Sequence, residues 1–549
     1  MRLRAVAISL NLLILQSLLF PLFLAAQEYE SAEIEEEGLV SPARENVLQA
    51  LERLSVSVFL QSEFHTFDNL DLLPLDETSE QSIIDTDDGA RFGYSFVAAR
   101  LRYAIERHLA FNLGLSLQGL WGNDQIGSPN RFGSIFYFSA LNFDYQIGEA
   151  DRGIDFRIGR QYFRIGGTPK DYLLKDILDA AVVVGKLGKG GDLRIMAFDF
   201  YASGESPDEV NFVRYLGQGT DWVEGMRGDT NTFRYGAIYE NDRLVENLDA
   251  RLFLFFADIG ALGTGADITF NGEFGNFADN DWALMSGGRA AYEMAMTDRL
   301  KLRCFGEFAR SEGTDRKEDL VRDVDIGGNA FSGGLELDYS MPESRAIRLS
   351  LQGFHADGPD YASDGLPFSH GFVSFKGDQV GGINLDRYAG WHPSAYVGSG
   401  GISDTPQNVD RKSGTRFLAS EVTLRLLSAT ELRLGAWFLW DTGHSFLADR
   451  YETPEQLREA LDSGAVEVPF GISREEFFAE ARLGKYLGTE YNVGITYEAT
   501  PALSVYGNGG IFLPGAFYEI PIDRIAGTAL GSTDPANFWT VSFGTKVLF

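Results

Sequence analysis

Residues 538–549, FWTVSFGTKVLF, carry the pattern on which the fold turns. Val541, Phe543, Val547 and Phe549 alternate with Thr540, Ser542, Gly544 and Lys546, the period-two signature of a strand with one apolar and one polar face. Working back, the same pattern recurs near 53–67, 91–106, 109–121, 133–148, 153–163, 177–187, 192–202, 231–240, 247–258, 281–294, 298–310, 329–340, 344–356, 414–427, 431–441, 478–498 and 502–512. This makes about eighteen strands, many of them long enough to cross a bilayer at the usual tilt.

The connections give the strands a direction. Every second one is about two to six residues long and carries turn chemistry: GEADRG, LGKGGD, MTD, MPES, SAT and ATPA. The others run from about eleven to nearly sixty residues. Short turns at one end and long loops at the other predict an all-β transmembrane antiparallel barrel over 53–549, with periplasmic turns and extracellular loops. Both ends of that barrel then lie on the periplasmic side. Aromatic residues fit the same frame. Tyr103, Tyr145, Tyr239, Tyr292, Tyr339 and Tyr497 fall near short turns on apolar faces, and Trp121, Trp282 and Trp539 fall at the long-loop ends. Two such belts mark the two membrane–water interfaces.

The remaining chain reads simply. Residues 1–26 have a basic start at Arg2 and Arg4, a Leu-rich core and Ala25-Ala26 at the end, which predicts a cleaved signal peptide. Residues 27–52 predict a periplasmic extension, acidic and then helical. The chain has 62 Gly, 17 Pro and a net charge of −32, which disfavours a nucleic-acid partner. Its one cysteine, Cys304, permits no internal disulfide and sits at an apolar alternation position. Six scattered histidines, with no HExxH and no GxSxG, argue against an enzyme, a metal site or a cofactor.

If the apolar face meets lipid, the other face lines the lumen. This parity places Arg100, Arg102, Arg157, Arg194, Arg234, Arg251, Arg289, Lys301, Arg303, Arg348, Arg425, Arg433 and Arg482 inside. Asp144, Asp155, Glu293, Glu307, Glu336, Asp338, Glu421, Glu431, Glu480 and Glu490 lie there too, with bases in modest excess. Two readings follow. The arginines brace the wall by cross-strand pairing, or some of them form a constriction that attracts anions. Two loops stand out as candidates to fold into the lumen. One is 357–413, with Arg387, Trp391 and His392; the other is 442–477, with a helical TPEQLREAL.

Three stretches carry a family resemblance: LGKYLGTEYNVGITYEATPALSVYGNGGIFLPG at 483–515, IGRQ at 158–161 and RLRYAIERHLAFNLGLSLQGLWG at 100–122. In these the chain resembles the alginate-export porins of the outer membrane. The resemblance implies an eighteen-stranded barrel that moves an anionic polysaccharide, and it implies Arg160 as a pore-mouth residue. Strict alternation instead puts Arg160 on the apolar-neighbour face, which a bulge or a structural role would reconcile. Phe549 resembles the signal read by the barrel-assembly machinery. The expectation is a monomeric outer-membrane channel with lipid around it and an anionic solute or acidic polysaccharide inside. A general small-solute porin, or an adhesin plugged by its loops, is the alternative.

Overall fold

In the computed structural model the strands pair into one closed ring. Described are residues 53–68, 90–121, 135–149, 152–165, 172–173, 175–201, 231–242, 245–259, 281–315, 324–342, 344–358, 360–361, 367–369, 371–372, 414–442, 454–465, 486–515 and 537–549. The expected signal peptide and extension lie outside them. The strands are β1 (Leu54–Asp68), β2 (Ala90–Glu106), β3 (Leu109–Trp121), β4 (Ile135–Gly148), β5 (Arg152–Arg164), β6 (Lys175–Leu187), β7 (Asp192–Tyr201), β8 (Asn231–Asn241), β9 (Leu248–Ile259) and β10 (Asp281–Thr297). They continue with β11 (Leu300–Asp315), β12 (Val324–Ser340), β13 (Ala346–Ala356), the short β14 (Asp360–Tyr361) and β15 (Pro367–Ser369), β16 (Thr415–Leu427), β17 (Thr430–Asp441), β18 (Tyr486–Thr500), β19 (Leu503–Pro514) and β20 (Phe538–Leu548). Among the described residues one α-helix, α1 (Pro454–Ser463), stands in the connection before β18, where the sequence predicts it.

Each long strand pairs antiparallel with the next in the chain. β13 passes over the two short strands to β16, and β20 closes on β1. The result is an eighteen-stranded barrel with no free edge. All the connections on one side are short. Where they are two residues long, a bulge precedes the turn, between Ala104 and Glu106, Ala295 and Thr297, Arg425 and Leu427, and Glu498 and Thr500. The Thr297 hydroxyl accepts from the amides of Arg299 and Leu300, and Thr500 does the same for Ala502 and Leu503. A local side-chain acceptor thus satisfies turn donors that have no ladder partner.

The outward face is apolar and open. Ile158, Leu252 and Phe543 are each more than half exposed, as is expected of side chains whose solvent is lipid. Tyr145, Tyr292, Tyr339 and Tyr497 stand on it near the short turns. Trp539 stands at the other end, where its indole N–H donates to Asp68, and Trp282 there stacks on Phe256. The core lies inside the ring. Rings from strands that are not neighbours meet there: Phe163 of β5 and Phe255 of β9 have centroids 6.4 Å apart.

Candidate functional site: the barrel lumen

The inward face is divided along the barrel axis. From the short-turn end upward, β9 presents Asp249, Arg251, Phe253 and Phe255, and β17 presents Glu431, Arg433, Gly435, Trp437 and Leu439. β16, read the same way, presents Arg425, Thr423, Glu421, Ala419 and Phe417. Charge therefore collects toward the periplasmic mouth and apolar side chains toward the long loops. Sequence parity finds the first half of this pattern and misses the second, because it assigns apolar residues to the lipid face. In the upper lumen Phe67, Phe255, Phe417, Phe512 and Phe538 are almost fully buried.

Two described residues of the β5–β6 connection reach into this layer. Tyr172 and Leu173, between β5 and β6, are both buried. The Tyr172 ring packs 4.9 Å from Phe354 of β13 and 5.6 Å from Phe417 of β16, on the far side of the ring of strands. Its entry is tied to the wall by Arg251, whose guanidinium donates to the Ile165 carbonyl at 3.1 Å. The sequence singles out two longer loops, and this shorter one was not among them. Arg387, Trp391 and His392 lie outside the described residues. The described part of that loop runs along the inner side of β12. Phe372 is buried, and a Cβ on Gly328 would come 2.3 Å from the Phe372 nitrogen, so only glycine admits it. At the rim, burial acts to raise the Asp357 carboxyl. Hydrogen bonds from the Asn329 amide, His355 and the Asn329 side chain outweigh it and hold the group below the ordinary carboxylate range.

Below the aromatic layer the bases are paired. Arg157 forks onto Asp144, which Arg102 approaches at 3.8 Å. Arg251 and Arg194 share Glu240 at 2.8 and 2.9 Å, Lys186 bridges Asp155 and Arg303 bridges Glu336. Arg348 meets Asp338, Arg425 meets Glu431, and Arg433 lies between Glu421 and Glu431. Arg100 makes no ion pair among the described residues. Glu63, Asp192, Glu240 and Asp249 also face in, as do Lys186 and Lys546, so bases and acids on the described inner face stand close to balance. What remains is a difference in reach. Arg102, Arg348, Arg433 and Arg425 are 60, 56, 55 and 52% exposed, against 19, 38, 40 and 30% for Asp144, Asp338, Glu421 and Glu431. At these four pairs the long cationic side chain extends further into the lumen than its carboxylate, whereas Lys186 and Arg251 are more buried than Asp155 and Asp249. Part of this floor, on the β2–β7 wall, is a cavity of about 500 Å3 whose lining includes Arg102, Asp144, Gln161, Lys186 and Arg194.

Arg160 is a correction. The β5–β6 register runs unbroken past it, from Arg152 to Arg164, so no bulge turns it inward. It stands on the outer face in a two-pronged ion pair with Asp179 of β6, at 3.0 and 2.8 Å. The side chain of Arg482 lies outside the described residues.

At the seam between β20 and β1 the inner wall holds a buried polar cluster that sequence reasoning did not find. Tyr506 of β19 donates to Glu63 of β1 across β20, where Gly544 leaves room. Glu63 also contacts His65 at 2.8 Å, and His65 stacks on Phe92. The only sequence signal is a Glu and a His on inward positions of one strand.

No family model matches the chain, and no curated protein matches it. Solved outer-membrane proteins of Pseudomonas aeruginosa align along most of both chains. OpdK has a TM-score of 0.45 and 9% identity, covering 91% of this chain and 99% of that one. OpdO has 0.45 and 12%, covering 91 and 97%; OprD has 0.43 and 11%, covering 91 and 95%. Likeness at this level carries no argument about solute or residues. The barrel is established by its own strand registers, and the alginate-export resemblance gains no support from these comparisons.

Proposed function

We propose that the protein is an outer-membrane diffusion channel for small anionic solutes. The observation that carries this reading is the unequal reach of the paired charges in the lumen floor. A solute sees Arg102 on one wall and Arg348, Arg425 and Arg433 on the other before it sees their carboxylates. Charged rings of this kind select by sign, and weak, repeated contacts allow release. Export of an acidic polysaccharide fits the sign of that floor but not the aromatic layer above it, which Tyr172 crosses. A small solute fits both. The same layer favours one other reading, a barrel plugged by its own loops that acts as a surface adhesin.

Reversal potentials across planar bilayers in a salt gradient test the proposal. Anion-over-cation selectivity is expected, reduced when Arg102, Arg348, Arg425 and Arg433 are all changed to Gln. Cation selectivity in the native protein overturns it. Selectivity that ignores the four substitutions leaves a general porin, and absence of conductance leaves the plugged barrel.

A further inference from the structure

The ion pair between Arg160 and Asp179 faces away from the lumen, and the strand registers fix its depth. A row of paired residues starting at Tyr145, in the periplasmic tyrosine belt, passes through Phe156, Val183, Ile195, Ala237 and Leu254 to Ser286 of β10. The belt residue of β10 is Tyr292, six positions nearer the short turn, so a row climbs about one residue per strand as the tilt requires. The row of Arg160 passes through Asp179, Asp199, Phe233 and Asp258 to Trp282. Correcting for the climb, Arg160 lies level with Gly287, midway between Trp282 and Tyr292. That is about 13 Å from either belt along the barrel axis. A second outward pair, Arg310 with Glu312 on β11, begins about two residues nearer the long-loop end, Asp199 stands in register with Asp179, and Arg416 lies at the long-loop end of β16.

A charged pair at that depth is unfavourable against hydrocarbon, even when its members neutralise each other. The surface beside it is suited to protein. Ala181 and Ala197 are exposed and directly paired across β6 and β7, with Val183 and then Gly185 following on the same face of β6. Small side chains there let another backbone approach closely. Any second copy of this chain inserted in the same membrane carries its own Arg160 and Asp179 at the same depth. A two-fold axis along the membrane normal would bring Arg160 of each copy to Asp179 of the other and shut lipid away from all four charges.

We infer that the outer face of β5–β7 is an interface with a second copy of this chain, in place of the monomer that the sequence suggests. This does not depend on what the lumen carries. The test is disulfide trapping in intact outer membranes, with Cys304→Ser removing the native thiol. Ala181→Cys should give a covalent dimer, while Leu351→Cys on β13 should not. In mild detergent the native protein should run at twice the monomer mass. The double variant Arg160→Leu, Asp179→Leu should run as a monomer whose barrel still resists unfolding in SDS. A native monomer with no trapped dimer overturns the inference. So does a double-leucine barrel with a raised unfolding temperature and no dimer to lose, since that identifies the face as lipid-exposed. Trapping of a protein of different mass overturns the second copy as occupant.

Discussion

Truncating Tyr172 to Ala should loosen the connection that crosses the lumen. The ring is almost wholly buried between Phe354 and Phe417. Removing a buried aromatic side chain costs about 3–5 kcal/mol where the surroundings cannot collapse. Here the loss falls first on the seating of one short segment, because the strands on either side keep their ladders. At about 1.4 kcal/mol per tenfold, even the lower figure raises the unseated population by roughly a hundredfold. An excursion seen once in a thousand intervals in the native protein would then occupy an appreciable fraction of the recording. Single-channel currents in planar bilayers read this directly, as larger or more frequent steps. Tyr172→Phe keeps the ring and should retain the native record. Unchanged step size and unchanged noise in Tyr172→Ala would refute the idea that this segment narrows the passage.

Two further outcomes follow from the wall. Gly544→Ala should weaken the seam by about 1–3 kcal/mol, as overpacking does, because its Cβ would lie 2.5 Å from the Ser62 carbonyl and 2.9 Å from the Tyr506 hydroxyl; a lowered temperature for the shift from folded to unfolded mobility in SDS gels checks it, and an unaltered temperature speaks against a tight notch. Asp144→Asn should increase anion preference, since it leaves Arg102 and Arg157 without the carboxylate they share; a reversal potential that moves toward cations contradicts this.

Much of the barrel was legible because a bilayer inverts the usual code. Alternation, turn chemistry and the sorting of Tyr from Trp all act through a few neighbours, so they survive in a bare sequence. The inward placement of Arg102, Arg157, Arg303, Arg348, Arg425 and Arg433 was legible for the same reason. Arg160 was misplaced where family resemblance was set against parity, and parity was the better guide. The aromatic half of the lumen escaped for a physical reason. In LFLFF at 252–256 and AWFLW at 436–440 both faces are apolar, so alternation falls silent where one face meets lipid and the other a packed interior. Those doubly apolar runs at the long-loop ends of strands were the available signal. Tyr172 had none: its partners are fixed by the closure of the ring and stand on strands far away in sequence.

The closing pair of strands also sets an order of events. β1 finds one of its two partners in β20, and the hydrogen bond that reaches over Gly544 from β19 to β1 joins positions 443 apart in the chain. Every other long strand can pair with a neighbour made moments before or after it. β1 must instead keep one ladder edge unsatisfied until almost everything else has been synthesised, and an open edge invites pairing with the wrong chain. The seam is therefore a matter of timing as well as geometry. Whatever shields β1 on its way to the membrane has to let go last, and a delay there would be felt as aggregation rather than as a weaker barrel.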